Sequence, residues 1–486
     1  MGTVSLNDRQ EMAPVPDDIA LLWLRRGLRL ADNPALAAAF ERHDFVAPVY
    51  IDDTGGRWDP GPAARTWLAL SLASLDGSLR ARGSRLTILS GPANIALPRL
   101  ATAVGAHAVY VDGSHVAEIE ERDARVGDAL ASAGVGMHTF DTHLLRDPST
   151  PLTTAGRPYT VFTPYYNACR RLLLARDMMP LPGRMTLPPH LPSGLTPADI
   201  SADVSGPPLL SSHFTPGEAG AVRALDRFIS EGLEGYATDR DRPDLVGTSR
   251  LSPHLAFGEI SPARVHQAVR AAAGADADTF DRQLYWREFG NYLLHHFPHT
   301  ATKPLRAEYE AMPWADDPRG VAAWREGQTG YPIVDAGMRE MAATGWMHNR
   351  VRMLVASFLT KDLLAPWQTG ERTFWHHLTD ADAGNNTLGW QWVAGSGADA
   401  VPYFRVFNPV TQGERFDPDG TYVRTWLPEL ADLPSQWIHQ PWEAPDDVLA
   451  AAGVTLDSTY PSPVLDHPGA RLRALAAYDF VRAARR

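Results

Sequence analysis

The chain is short of several things, and each shortage removes a class of protein. Its 486 residues include one cysteine, Cys169. A lone thiol closes no internal disulfide, and no Cys/His spacing matches a zinc or iron–sulfur motif, which fits a reducing, intracellular compartment. No run approaches the roughly eighteen consecutive apolar residues of a membrane-spanning helix. The first sixteen residues, MGTVSLNDRQEMAPVP, lack a basic start followed by an apolar stretch. They read as a frayed tail and not as a secretion signal. Basic charge is scarce too: 57 Asp and Glu stand against 45 Lys and Arg, a formal net charge of −12. Charge alone therefore disfavours a nucleic-acid partner, since DNA-binding domains usually carry a basic face. Lysine is nearly missing, with only Lys303 and Lys361. Any phosphate contact must come from arginine forks.

What remains is an ordinary globular composition, 44% hydrophobic and 21% charged, long enough for two or three domains. Short apolar runs at 19–24, 45–51, 86–89, 108–111 and 135–140 predict strands. Helical periodicity fills 33–42, 62–82, 93–104 and 116–133 between them. Such alternation predicts a doubly wound parallel sheet, an α/β domain over 19–140 behind a disordered tail at 1–18. No G-x-G-x-x-G follows the first strand, so a Rossmann dinucleotide site is not expected. Residues 178–208 are rich in proline and glycine, and 141–213 reads as a long connection. Beyond it, 214–486 is helical in pattern, predicting one large all-α domain.

Within that helical part, residues 247–253 (GTSRLSP) group three hydroxyls and Arg250 ahead of a helical run, a pattern suited to an anion. Residues 380–392 (DADAGNNTLGWQW) put two carboxylates, two amides and two tryptophans in thirteen positions. Buried Asp and Asn need partners, and a polar heterocycle such as a flavin would supply them. His376 and His377 are adjacent and point to different faces of a helix, a poor metal spacing; no metal is expected. Fourteen tryptophans are many for this length, and Trp286, Trp346, Trp390 and Trp392 keep polar company in WREF, GWMHNR and GWQW.

Together these segments resemble the DNA photolyase/cryptochrome family, most closely a bacterial cyclobutane pyrimidine dimer photolyase. The resemblance rests on 380–392, 345–353 (GWMHNRVRM), 329–335 (TGYPIVD), 247–253 and 286–289. Residues 23–36 (WLRRGLRLADNPAL), 157–164 (RPYTVFTP) and 407–417 (FNPVTQGERFD) extend it, in order, from about residue 19 to the C terminus.

The resemblance implies an antenna domain followed by a helical domain that binds FAD. By position, Tyr236, Thr248, Ser249, Arg250, Leu251, Ser252 and Phe280 should surround the cofactor, with Arg287 near its phosphates and ribityl chain. Asp380 should pair with Arg352 near the isoalloxazine, Asp382 should bond it, and Asn386 should face its N5. Trp286 and Trp392 match the aromatic walls around a flipped dimer, and Gln283, Asn349 and Met353 should line the same pocket. Arg240, Arg350, Arg405 and Gln412 match positions that contact DNA. Trp390, Trp367 and Trp314 fall on the family's electron-relay chain. The implied reaction is light-driven repair of UV-damaged DNA by electron transfer from reduced FAD, by a monomer without membrane attachment.

Departures from the family pattern bear on which member this is. Asn349 stands where (6-4) photolyases carry a catalytic histidine, which favours cyclobutane dimers. Gln283 replaces a glutamate usual in those enzymes, and Gly27 replaces an aspartate. Residues 110–126 lack the folate-contact pattern, so a second, antenna chromophore is open between a deazaflavin, methenyltetrahydrofolate and none. The alternatives are a blue-light cryptochrome that signals without repair, or a (6-4) photolyase. The family pattern runs to Tyr478, leaving eight residues, where cryptochromes often extend a long tail.

Overall fold

In the computed structural model the described residues are 18–141, 143–172, 178–181, 183, 185–399 and 405–484. The expected tail at 1–18 lies outside them except for Asp18. Five strands, β1 (Ile19–Leu24), β2 (Phe45–Asp52), β3 (Thr87–Ser90), β4 (Ala106–Asp112) and β5 (Gly136–Phe140), form one parallel sheet in the order β3-β2-β1-β4-β5. Helices α1 (Pro34–Arg42), α2 (Pro62–Arg80), α3 (Ala93–Val104) and α4 (Ala117–Ser132) make the crossovers. Side chains alternate across β1: Ala20, Leu22 and Leu24 pack with Leu36 and Trp67, while Ile19, Leu21 and Trp23 pack with Leu97 and Leu130. Both faces are covered, which is why the strands read as unbroken apolar runs.

The connection after the sheet is less featureless than its composition predicts. Residues 162–171 form α5 (Phe162–Arg171), and the chain then returns along the sheet, Thr186 O accepting from Val46 N and Leu195 N donating to Ile88 O. The helical part runs through α6 (Leu210–His213), α7 (Glu218–Arg227), α8 (Tyr236–Asp239), α9 (Ser252–Ala256), α10 (Pro262–Ala272) and α11 (Ala275–His296). It continues through α12 (Pro318–Glu326), α13 (Pro332–Thr344), α14 (Asn349–Ser357), α15 (Trp367–His377) and α16 (Ala383–Ala394). The last helices are α17 (Pro409–Phe416), α18 (Thr421–Trp426), α19 (Asp446–Ala451) and α20 (His467–Ala484). None of the described helices is long and apolar enough to cross a membrane.

A repeated dipeptide starts many of these helices. Asn33-Pro34, Ser261-Pro262, Asp317-Pro318 and Asn408-Pro409 each put a capping side chain on a free amide and a proline at the first helical turn. The cap satisfies a donor the helix cannot, and the proline has the right φ and no amide to lose. Helices α13 to α16 and α18 share the largest apolar cluster, which contains Trp324, Trp367 and Trp390.

Candidate flavin and nucleic-acid site

Three helices converge on a cavity of about 390 Å³. From α11 come Gln283 and Trp286, three apart and so on one face. From α14 come Asn349 and Met353, together with Arg352, and from α16 come Asn385, Asn386, Gly389, Trp390 and Trp392. Asp380 and Asp382 close the wall from the segment that enters α16, and Arg240 lies at the rim. The elements can converge because two glycines touch: a Cβ on Gly384 would stand 2.7 Å from the backbone of α11 at Gly290 and Asn291.

The polar wall is built from paired groups. Arg352 grips Asp380 with two bonds of 3.0 and 2.8 Å. Asp382 caps α16 by accepting from Asn385 N at 3.0 Å, and also accepts from Arg26 Nη1 at 3.0 Å. Burial would raise the Asp382 pKa, but His143, Arg26 and Arg287 hold it well below the usual carboxylate range. The pKa of His143 is also pushed down, to about 3, by burial and by Arg287. Asn386 Nδ2 donates to Glu371, to its carbonyl at 3.1 Å and its carboxylate at 3.3 Å, which leaves its own oxygen free for the cavity.

The aromatic wall is braced from behind. Trp286 stacks on Phe162 of α5 at 3.8 Å with the planes 8° apart. Gln283 is tied at both ends of its amide, accepting from Arg240 at 3.3 Å and donating to Thr279 O at 3.2 Å. Arg350 lies outside the cavity wall, paired with Asp241 at 2.8 Å over the Phe416 ring. Arg405 lies over the Phe407 ring, and Gln412 is on α17.

Other sequence-singled residues stand apart from this cavity. Tyr236 packs edge-on against both Phe228 and Phe280 in a separate apolar cluster that also holds Leu251. Ser249 Oγ accepts from Leu251 N, and Ser252 Oγ from Trp346 Nε1. Thr248 lies in the loop entering that segment, immediately before Ser249. Arg250 takes a left-handed φ of 52°, stacks over Trp346, and opens onto a second space with Arg223 and Arg227. The Arg287 guanidinium meets His143, Glu288 and Leu255 O.

Trp390 and Trp367 are buried in the large helical cluster, and the half-buried Trp314 packs against the same cluster. Trp390 is locked by Phe374 at 4.9 Å and by Gly370, where a Cβ would lie 2.0 Å from its indole.

Two observations test whether the cavity fits FAD. Trp390 Nε1 is buried beside it with no partner, and a Cβ on Gly389 would enter it and meet nothing within 4 Å. An unpaired donor and a glycine cradle, beside the amide and the Arg–Asp pair, suit a flat ring with polar edges. Arg26, His143, Asn291 and Glu371, the groups that hold this wall in place, come from distant parts of the chain, and none is singled out as a site residue from sequence.

Comparison with known proteins identifies the family. Residues 280–479 match the model of the FAD binding domain of DNA photolyase, and residues 20–184 match that of DNA photolyase. The chain is 44% identical to the deoxyribodipyrimidine photo-lyase of Agrobacterium fabrum, over 95% of this chain and 98% of that one. It is 38% identical to Cryptochrome-1 of Arabidopsis thaliana, over 93% of this chain and 69% of that one. A crystal structure of a class III photolyase from Agrobacterium tumefaciens superposes with a TM-score of 0.92 at 43% identity, covering 99% of this chain and all of that one.

Proposed function

The chain belongs to the DNA photolyase/cryptochrome family, and we infer that it repairs cyclobutane pyrimidine dimers in UV-damaged DNA under light. One observation carries this reading: a single cavity has a polar wall of Arg352, Asp380 and Asn386 and, on another side, two tryptophans, Trp286 and Trp392. Held there by Arg352, Asp380 and Asn386, reduced FAD would supply light-driven electron-transfer chemistry toward a dimer between the tryptophans.

The protein's own groups bind, orient and exclude. The dimer must leave the duplex to reach the cavity, and its poor stacking makes that step cheaper than for an intact base. Trp286, stiffened by Phe162, and Trp392 give it flat surfaces in place of its neighbours. Gln283, Asn349 and Met353 complete that pocket, and Arg240, Arg350, Arg405 and Gln412 steady the strand. Asn386, tethered through its nitrogen to Glu371, offers its oxygen to the flavin N5 position. Tyr236, Phe280, Arg287 and residues 248–252 support the remainder of the cofactor. Trp390, Trp367 and Trp314 form a hopping path from the buried cavity to the half-buried Trp314.

A second cavity, about 130 Å³, lies at the carboxyl ends of the neighbouring strands β1 and β4, between which the strand order reverses, with Trp23, Arg25, Asp53 and Asp112 on its walls. Open parallel sheets bind ligands at such a switch point. An antenna chromophore, deazaflavin or methenyltetrahydrofolate, would sit there. The domain division at residues 140 and 213, a monomeric state and a cytoplasmic location complete the proposal.

The test is direct. The purified protein is photoreduced and illuminated with oligothymidylate carrying cyclobutane dimers. Recovery of thymine absorbance is expected, and an absorption band beyond those of flavin would reveal the antenna. Flavin photoreduction without dimer splitting would assign the chain to the signalling branch instead.

A further inference from the structure

Beside the second cavity, whose lining includes Ser114 and Ile119, three side chains with metal-binding chemistry meet between the sheet-bearing half and the helical half. His115 follows β4, Glu120 lies in the first turn of α4, and His295 is in the last turn of α11. One ligand atom from each lies within 4.8 Å of the other two. His115 Nδ1 is 3.9 Å from a Glu120 oxygen, and the His115 and His295 rings are 5.9 Å apart at 87°. A tetrahedral zinc with bonds of about 2.0–2.1 Å sets its ligand atoms about 3.3 Å apart. The trio is slightly open, and the exposed Glu120 side chain is free to close it.

Two further features support a site. The neighbours of the two histidines in sequence, Val116 and Leu294, pack together in one buried cluster, so the backbone holds His115 and His295 side by side. The far nitrogen of His115, Nε2, is hydrogen-bonded to Asp141 at 2.9 Å, which leaves Nδ1 turned to Glu120. A carboxylate behind a ligating histidine fixes its tautomer and raises its basicity.

We propose that His115, Glu120 and His295, oriented through Asp141, form a zinc-type divalent metal site that clamps α4 to α11 and keeps a fourth position for water. His295 lies far along the chain from His115 and Glu120, so no motif spacing in the sequence announces the trio.

Untagged full-length protein, stripped with EDTA, should bind one equivalent of Zn²⁺ by calorimetry and give the visible bands of tetrahedral Co²⁺. Zn²⁺ should also raise its thermal midpoint. His115→Gln and His295→Gln should each weaken binding by a hundredfold or more, and Asp141→Asn by about 10–100-fold. The exposed Glu120→Gln change cannot unfold the chain and should weaken binding at least tenfold. A His376→Gln/His377→Gln double variant should bind as the parent does. Absence of saturable binding, or equal binding by parent, Glu120→Gln and His295→Gln, would overturn the proposal.

Discussion

Gly389 and Gly370 stand on neighbouring helices and meet opposite surroundings. A Cβ on Gly389 enters open space in the main cavity, while one on Gly370 would lie 2.0 Å from the Trp390 indole. Glycine inside a helix costs about 0.5–1 kcal/mol relative to alanine. Gly389→Ala should therefore raise the stability of flavin-free protein by about that much, and Gly389→Leu should leave the fold intact while lowering the flavin bound per chain. Gly370→Ala should destabilise by about 1–3 kcal/mol, because a packed indole cannot move aside without strain. Urea melts of the flavin-free variants, with flavin absorbance per chain, check all three. Equal melts for the two alanine variants would mean that neither glycine is placed for the space around it.

At the scale of elements, the joint between α13, α14 and α18 carries a pH dependence. Glu340 of α13 is buried, accepting from Tyr422 OH of α18 at 2.7 Å and from His348 N at 3.2 Å. Burial lifts its pKa to about 7, against the opposing pull of these bonds. A carboxyl whose folded pKa is raised binds more protons in the folded chain than in the unfolded one between about pH 4.5 and 7. Its contribution to stability is thus greatest below that window, falls as pH rises through it, and is level above it. The whole span corresponds to roughly 3 kcal/mol. Glu340→Gln removes this titration. From pH 5 to 8 the thermal midpoint of the parent should fall relative to that of the variant, and parallel profiles would show that Glu340 ionises normally. His143 and His348, both buried with lowered pKa values, act with the opposite sign at acid pH, but they are common to both proteins.

For the molecule as a whole, what could be read from sequence follows how local each signal is. The strands were legible because both faces of the sheet are buried, and the helix starts because a cap and a proline sit side by side. Within the connection, α5 escaped notice, since its apolar residues serve mainly to brace Trp286 and α11. In the site, α14 and α16 each carry several wall residues in one short run, so they stood out. The bonds from Arg26 to Asp382 and from Asn386 to Glu371 join segments with no shared pattern, and only the fold brings them together. The net charge of −12 was the least local signal, and it pointed away from DNA. The proposed contact surface explains why: it rests on a few arginines, and Asp241 partly neutralises two of them, lying 2.8 Å from Arg350 and 3.8 Å from Arg240. Binding to undamaged duplex should therefore release few counterions. With about three phosphates neutralised, the slope of log K against log salt should be near −3, so raising salt fourfold costs about 40-fold in affinity. Selectivity for damage should come instead from stacking on Trp286 and Trp392, which is worth about 1–3 kcal/mol per base and depends little on salt. Trp392→Ala should cut the preference for dimer-containing DNA by roughly ten- to a hundredfold and leave the salt slope unchanged. Anisotropy titrations of damaged and undamaged duplexes across salt separate the two contributions. A slope steeper than about −6, or one that changes with Trp392, would place the affinity in a broad phosphate surface that this acidic chain does not otherwise display.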